Sequence, residues 1–143
     1  MRIYIAGPLF AKAELEFNER LDKFLRDLGF TTFLPQRDGY KLIDLLRNKT
    51  SKTEAIKLIF EKDINEIKKS DILILIMDGR VPDEGASVEL GAAYVLGKEC
   101  IGLKTDVRSL LDGMDNPLIT GALHARIARN FEELRMHLEE LKS

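Results

Sequence analysis

Two hydrophobic periods alternate along the chain. Apolar runs with strand character occur at Arg2 to Ala6, Thr31 to Leu34, Ile72 to Met77 and Cys100 to Leu103, with a weaker one at Ala125 to Ala128. Between them, apolar residues at three- and four-residue intervals predict helices over Ala13 to Leu28, Glu54 to Lys68, Ala86 to Leu96 and Phe131 to Leu141, and a short turn or helix around Ser109 to Gly113. Strands that alternate with helices build a parallel sheet covered on both faces. The run from Ile72 to Met77 has no polar position and suits a central strand. With right-handed crossovers, the expectation is one α/β domain over residues 1–143, a flavodoxin-like three-layer sandwich of about five parallel strands in the order 2-1-3-4-5.

One long stretch breaks the pattern, PQRDGYKLIDLLRNKTSKT from Pro35 to Thr53. Loops of this length in small domains tend to serve as lids or pocket walls. A solvated connection with a short amphipathic helix around Lys41 to Arg47 is the alternative. In open parallel sheets, ligands bind beyond the carboxyl ends of the strands. The residues that fall there are Gly7, Pro8, Leu9 and Phe10 after strand one, Asp78 and Gly79 after strand three, and Thr105 and Asp106 after strand four. The glycines permit tight turns and close backbone approach to a ligand.

Three carboxylates sit where charge is out of place. Glu89 is the one charged residue in GASVELGAAYVLG, and its helical neighbours Gly85, Ala86, Ala92 and Ala93 offer nothing to pair with it. Asp63 projects into the apolar stripe formed by Ile56, Ile59, Phe60, Ile64 and Ile67, while Glu66 points elsewhere. A buried ionised carboxylate is costly unless paired or hydrogen-bonded, so Asp63 is either satisfied by local backbone or belongs to a site. Asp83 follows Pro82 at a helix start and can cap it, and a helix start beside a strand end is also where a ligand lies. Strand three brings all three acids toward one crevice. Clustered carboxylates suit glycosidic chemistry, in which one attacks or stabilises an oxocarbenium-like carbon and another protonates the leaving group.

Composition narrows the partners. With 22 basic and 24 acidic residues and a net charge of −2, the chain has no electrostatic footprint for nucleic acid or an anionic membrane. No apolar run is long enough to span a bilayer and no leader is apparent, so the expectation is a soluble cytoplasmic protein. Cys100 is the single cysteine, in the apolar segment CIGL, and reads as a buried, inert thiol. His124 and His137 lack ligand spacing, and no metal site or cofactor is expected. Ser87 has no nearby histidine, and glycine-rich signatures for dinucleotides or triphosphates are missing.

The same residues resemble the nucleoside 2-deoxyribosyltransferase family. The match comprises IYIAGPLF at Ile3 to Phe10, DINEIKKSDILI at Asp63 to Ile74, and MDG followed by PDEGASVELGAA at Met77 to Ala93. TDVR at Thr105 to Arg108 and DNPLI at Asp115 to Ile119 extend it. The resemblance implies a retaining transfer of 2-deoxyribose between nucleobases, with 2-deoxyribonucleosides and free bases as partners. It implies Glu89 as nucleophile, Tyr4 as the tyrosine positioning it, Asp63 and Asp83 as acids at the base, and Phe10 stacked beside the base. Gly7, Pro8, Asp78, Gly79 and Gly85 fall at the substrate. Asn116 matches an asparagine that reaches a neighbouring subunit's site, which implies a homo-oligomer, in the family often a hexamer built from dimers. Pro117 departs from relatives with an NLM motif, as do the final helix and LKS end from those with an aromatic terminus, and Pro35 to Thr53 matches poorly. The competing reading of the same fold is a 2-deoxynucleoside 5-monophosphate N-glycosidase.

Overall fold

The five residues of β3 (Ile72–Ile76) are all buried and form the middle of the sheet, as a strand apolar on both faces must. The structure is a computed structural model that describes residues 1–143. Around β3 the sheet is completed by β1 (Arg2–Ala6), β2 (Thr31–Phe33), β4 (Glu99–Leu103) and β5 (Ile127–Ala128). All pairs are parallel and the order is β2-β1-β3-β4-β5, the order expected from the sequence.

Strand alternation sorts the core into two halves. Ile3, Ile5, Ile72, Ile74 and Ile76 face α1 (Lys12–Asp27) and α7 (Phe131–Lys142), where Leu21, Leu25, Leu134 and Leu138 close over them. Tyr4, Ala6, Leu73 and Leu75 face the other way. Their cover is α4 (Lys52–Lys69), α5 (Glu84–Val95) and α6 (Pro117–Ala122), through Ile67, Ala86, Leu90, Ala93 and Leu123. Tyr4 is thereby committed to the layer that carries Asp63 and Glu89.

The irregular stretch holds two short helices, α2 (Pro35–Asp38) and α3 (Leu42–Arg47). The second matches the short helix expected at Lys41 to Arg47. The first starts at a proline, which the first helical position tolerates because its missing N–H has no partner there anyway. The Ser109 to Gly113 segment is a tight turn bridged from Leu111 to Met114. The helix α6 was not expected, since a six-residue element is too short to show a period.

Two expectations about α4 do not hold. Ile56 and Phe60, placed in its buried stripe by periodicity, are 65% and 58% exposed, whereas Ala55 and Ile67 are buried. Glu66, expected to point away, is 4% exposed. It is held by Arg2 from the start of β1 and by Lys62 and Lys69 of its own helix. A helix pattern fixes which residues share a face; it does not reveal a counter-charge arriving from the N-terminal strand, or where the neighbouring layer stops.

Candidate active site

Beyond the carboxyl end of β1, the chain turns at Gly7, and the position is dictated by packing. A Cβ there would lie 2.8 Å from Ile76 Cβ. Pro8 contributes its carbonyl, which accepts a hydrogen bond from Asn18 Nδ2 at 2.9 Å. Phe10 follows and is 80% exposed. It lines a cavity of about 830 Å³ together with Asp63, Ile59 and the residues Tyr40, Leu42 and Ile43 of the Pro35–Thr53 stretch. The stretch thus walls the cavity and also carries the short helix of the alternative reading.

Tyr4 is fully buried, and its ring stacks on Phe33 of β2 at 5.1 Å between centroids with the planes 20° apart. The two residues are paired in register across β1 and β2, so the stack follows from the sheet. The Tyr4 hydroxyl donates to Glu89 Oε2. The charge in the middle of the α5 helix therefore meets a phenol rather than a cation.

Burial pushes the Glu89 carboxyl up to about 8; the Tyr4 hydrogen bond opposes this, and the charges of Asp63 and Asp83 add to it. Burial likewise raises Asp63 to about 6, with Lys62 pulling down and Glu66 pushing up. Tyr4 is raised far above its ordinary value by burial first and then by Glu89 and Asp63, so it stays a proton donor. Two acids whose protons come off on either side of neutrality, one bonded to the Tyr4 hydroxyl and the other near enough for its charge to act on it, form a set able to hold a single proton near pH 7.

Asp83 caps α5, its side chain accepting from Ala86 N at 2.9 Å, and its charge helps to raise the Glu89 carboxyl. Gly85 is one turn ahead of Glu89, and a Cβ there would stand 3.3 Å from Asp83 Oδ2. Asp78 and Gly79 are engaged within the chain. Asp78 accepts from Thr105 N at 2.7 Å, Thr105 Oγ1 at 2.6 Å and Asp106 N at 2.9 Å, while Gly79 N donates to Asp106 Oδ2 at 3.1 Å. These bonds tie the ends of β3 and β4 together.

Asn116 is not beside Glu89. It caps α6, accepting from Leu118 N at 3.0 Å, and lines a second cavity of about 1170 Å³ against Ser87, Leu90, Gly91 and Tyr94. Those residues lie on the face of α5 opposite Glu89. Near them, Lys104 and Asp115 form an ion pair with Lys104 only 4% exposed. The sequence pattern turns Lys62 and Glu66 away from the site and gives no role to Phe33 or to this pair. Only Phe33 had a signal, as the aromatic of a strand expected to lie next to strand one.

Cys100 is buried and its thiol is pushed up to about 11 by that burial, which fits an inert core residue. No group of three or more His, Cys, Asp or Glu side chains is arranged to hold a metal ion. No helix is long and apolar enough to cross a membrane.

A family model described as nucleoside 2-deoxyribosyltransferase matches residues 3–140. No curated protein gives a significant match. Among solved structures, a 2-deoxyribosyltransferase from the psychrotolerant bacterium Bacillus psychrosaccharolyticus is similar at 29% identity and a TM-score of 0.76, over 94% of this chain and 90% of that one. A 2-deoxyribosyltransferase from Leishmania mexicana is similar at 21% identity and a TM-score of 0.66, over 97% of both chains. The CMP N-glycosidase BcmB of Clostridium botulinum shares the fold at 23% identity and a TM-score of 0.56, over 97% of this chain and 99% of that one.

Proposed function

The chain belongs to the nucleoside 2-deoxyribosyltransferase family, and from that membership we propose that it transfers 2-deoxyribose between nucleobases with Glu89 as nucleophile. The observation that carries this reading is the hydrogen bond from Tyr4 to Glu89 with Asp63 close enough to perturb both. An ionised Glu89 oxygen attacks the anomeric carbon, the bond from that carbon to the base nitrogen breaks, and its electron pair leaves with the base. Asp63 gives the departing ring a proton. The second half reverses the sequence: a new base attacks the anomeric carbon, the glutamate leaves as carboxylate, and the acceptor's proton returns to Asp63. Two displacements at one carbon retain its configuration. Water in place of the second base yields free 2-deoxyribose as a side reaction.

Each residue has a matching physical task. Tyr4 favours the ionised form of Glu89 because it donates to the charged oxygen. The small residues around Glu89, Gly85 and Ala92 among them, leave room for a sugar. A 2-deoxy sugar lacks the electron-withdrawing 2-hydroxyl and reaches an oxocarbenium-like state more readily. Phe10 and the apolar cover flank the base, and Asp83 orders the start of α5 beside the nucleophile.

The competing activity, hydrolysis of 2-deoxynucleoside 5-monophosphates, needs cations for a phosphate. In the Asp63 cavity, Arg26 and Arg37 are both bound by Asp22, and Arg37 by Asp38 as well. Lys41 is the one cation there without an ion-pair partner, which favours nucleosides. For the assembly we infer a second copy that brings Asn116 to its neighbour's site. The support is the free amide nitrogen of Asn116, its place across α5 from its own Glu89, and exposed apolar side chains that line the same cavity, Val95 at 83% and Leu118 at 85%.

The deciding experiment incubates deoxyadenosine, or its 5-monophosphate, with and without free cytosine and separates the products. Formation of deoxycytidine from deoxyadenosine is expected. Hydrolysis confined to the monophosphate, with no transfer, overturns the reading.

A further inference from the structure

Lys62 stands where three parts of the molecule meet. Its side chain, 31% exposed, leaves α4 one residue before Asp63. The ammonium lies 5.8 Å from the centre of the Tyr40 ring, 5.9 Å from that of the Phe33 ring and 3.5 Å from Glu66 Oε1. Tyr40 belongs to the cover of the Asp63 cavity, and Phe33 is the ring on which Tyr4 stacks. A cation held over two rings is attracted to both faces, more strongly where it is partly desolvated.

We propose that Lys62 is a positioning residue that fastens the Pro35–Thr53 cover over the cavity through Tyr40 and holds its positive charge one residue from Asp63. The inference deepens the proposed transfer reaction and rests on it for its kinetic consequence. The charges around Asp63 leave Lys62 a distinct part. Glu66 on the same helix, Tyr4 of β1 and Glu89 of α5 are acidic groups, and of these Glu66 is already bound by Arg2 and Lys69. On the cover, Arg37 is committed to Asp22 and Asp38. From α1, Asp22 and Arg26 neutralise each other, and Glu19 adds one more negative charge to the cavity wall. Lys41 is the other cation of the cover that lines the cavity. Lys62 is thus the cation that both lowers Asp63 and touches the cover.

The test compares Lys62→Met, which keeps the stem and removes the charge, with Lys62→Arg, which keeps the charge. Two readouts need no activity. In the methionine variant the Asp63 carboxyl, followed by its carbon-13 shift, titrates about half a unit or more higher. Trypsin cleaves at Arg37, Lys41, Arg47 and Lys49 faster than in the parent. In the transfer assay the acid side of the pH profile moves upward and KM for the nucleoside rises about two- to fivefold, the scale of a lost cation–π contact. The arginine variant stays close to the parent in all four. A methionine variant with unchanged Asp63 titration and unchanged cleavage overturns the proposal, as does a uniform loss of kcat with the profile in place. A parent that exchanges no bases defeats the functional reading instead, and the titration and proteolysis still decide on Lys62.

Discussion

The hydroxyl of Tyr4, at the centre of a buried strand, donates to Glu89 on the helix packed above it. Eighty-five positions separate the two residues, and the sheet joins them. In Tyr4→Phe the ring and its stack on Phe33 remain while the donor is lost. Because this bond pulls the Glu89 carboxyl downward, its removal raises the carboxyl further. Transfer should fall about ten- to a hundredfold, and the alkaline limb of the pH profile, set by Glu89 at about 8, should move to higher pH. A variant with the parental profile would separate Tyr4 from the nucleophile.

Glu89→Gln is expected to fold and associate as the parent does and to lose transfer by several orders of magnitude. Stability carries an independent sign. A carboxyl raised from 4.5 to about 8 in the folded chain is protonated there while ionised in the unfolded chain. Between those values the unfolded state binds fewer protons, so this group makes the parent less stable as pH rises. Thermal melts should show the glutamine variant gaining on the parent from pH 4.5 to 8. A constant gap between the two across that range contradicts the buried carboxyl.

With Asp63 raised to about 6 and Glu89 to about 8, the pair should give a bell-shaped dependence of transfer on pH between those limits. Asp63→Asn removes the acid and should slow base departure most for the poorest leaving groups. A uniform loss across all donors would assign Asp63 a role in packing.

Mixing Glu89→Ala with Asn116→Ala, each inactive alone, tests whether Asn116 serves a neighbour. Subunit exchange forms mixed dimers in which one site has both groups intact, and about a quarter of the parental activity should return. If Asn116 acts within its own chain, the mixture stays inactive.

Gly7→Ala should destabilise the fold by about 1–3 kcal/mol, since the added methyl meets Ile76 and overpacked cores pay on this scale. Denaturant unfolding of the variant measures it. A loss of activity without loss of stability would return Gly7 to the substrate.

The chain by itself determined the alternation of strands and helices, the central place of Ile72–Ile76 and the anomaly of Glu89 and Asp63, because period and burial are local consequences of residue type. The order of the five strands was also legible, through the limited set of right-handed parallel arrangements. Tertiary structure alone decided who meets whom. It paired Glu66 with Arg2, joined Asp78 to Thr105 and Asp106, left Ile56 and Phe60 in solvent, and put Asn116 on the far face of α5 from Glu89. Each of these depends on contacts between segments far apart in sequence, whose registers no local pattern encodes. Glu89 was visible as a charge without a partner in its own helix; the partner, a tyrosine from the first strand, came only with the sheet.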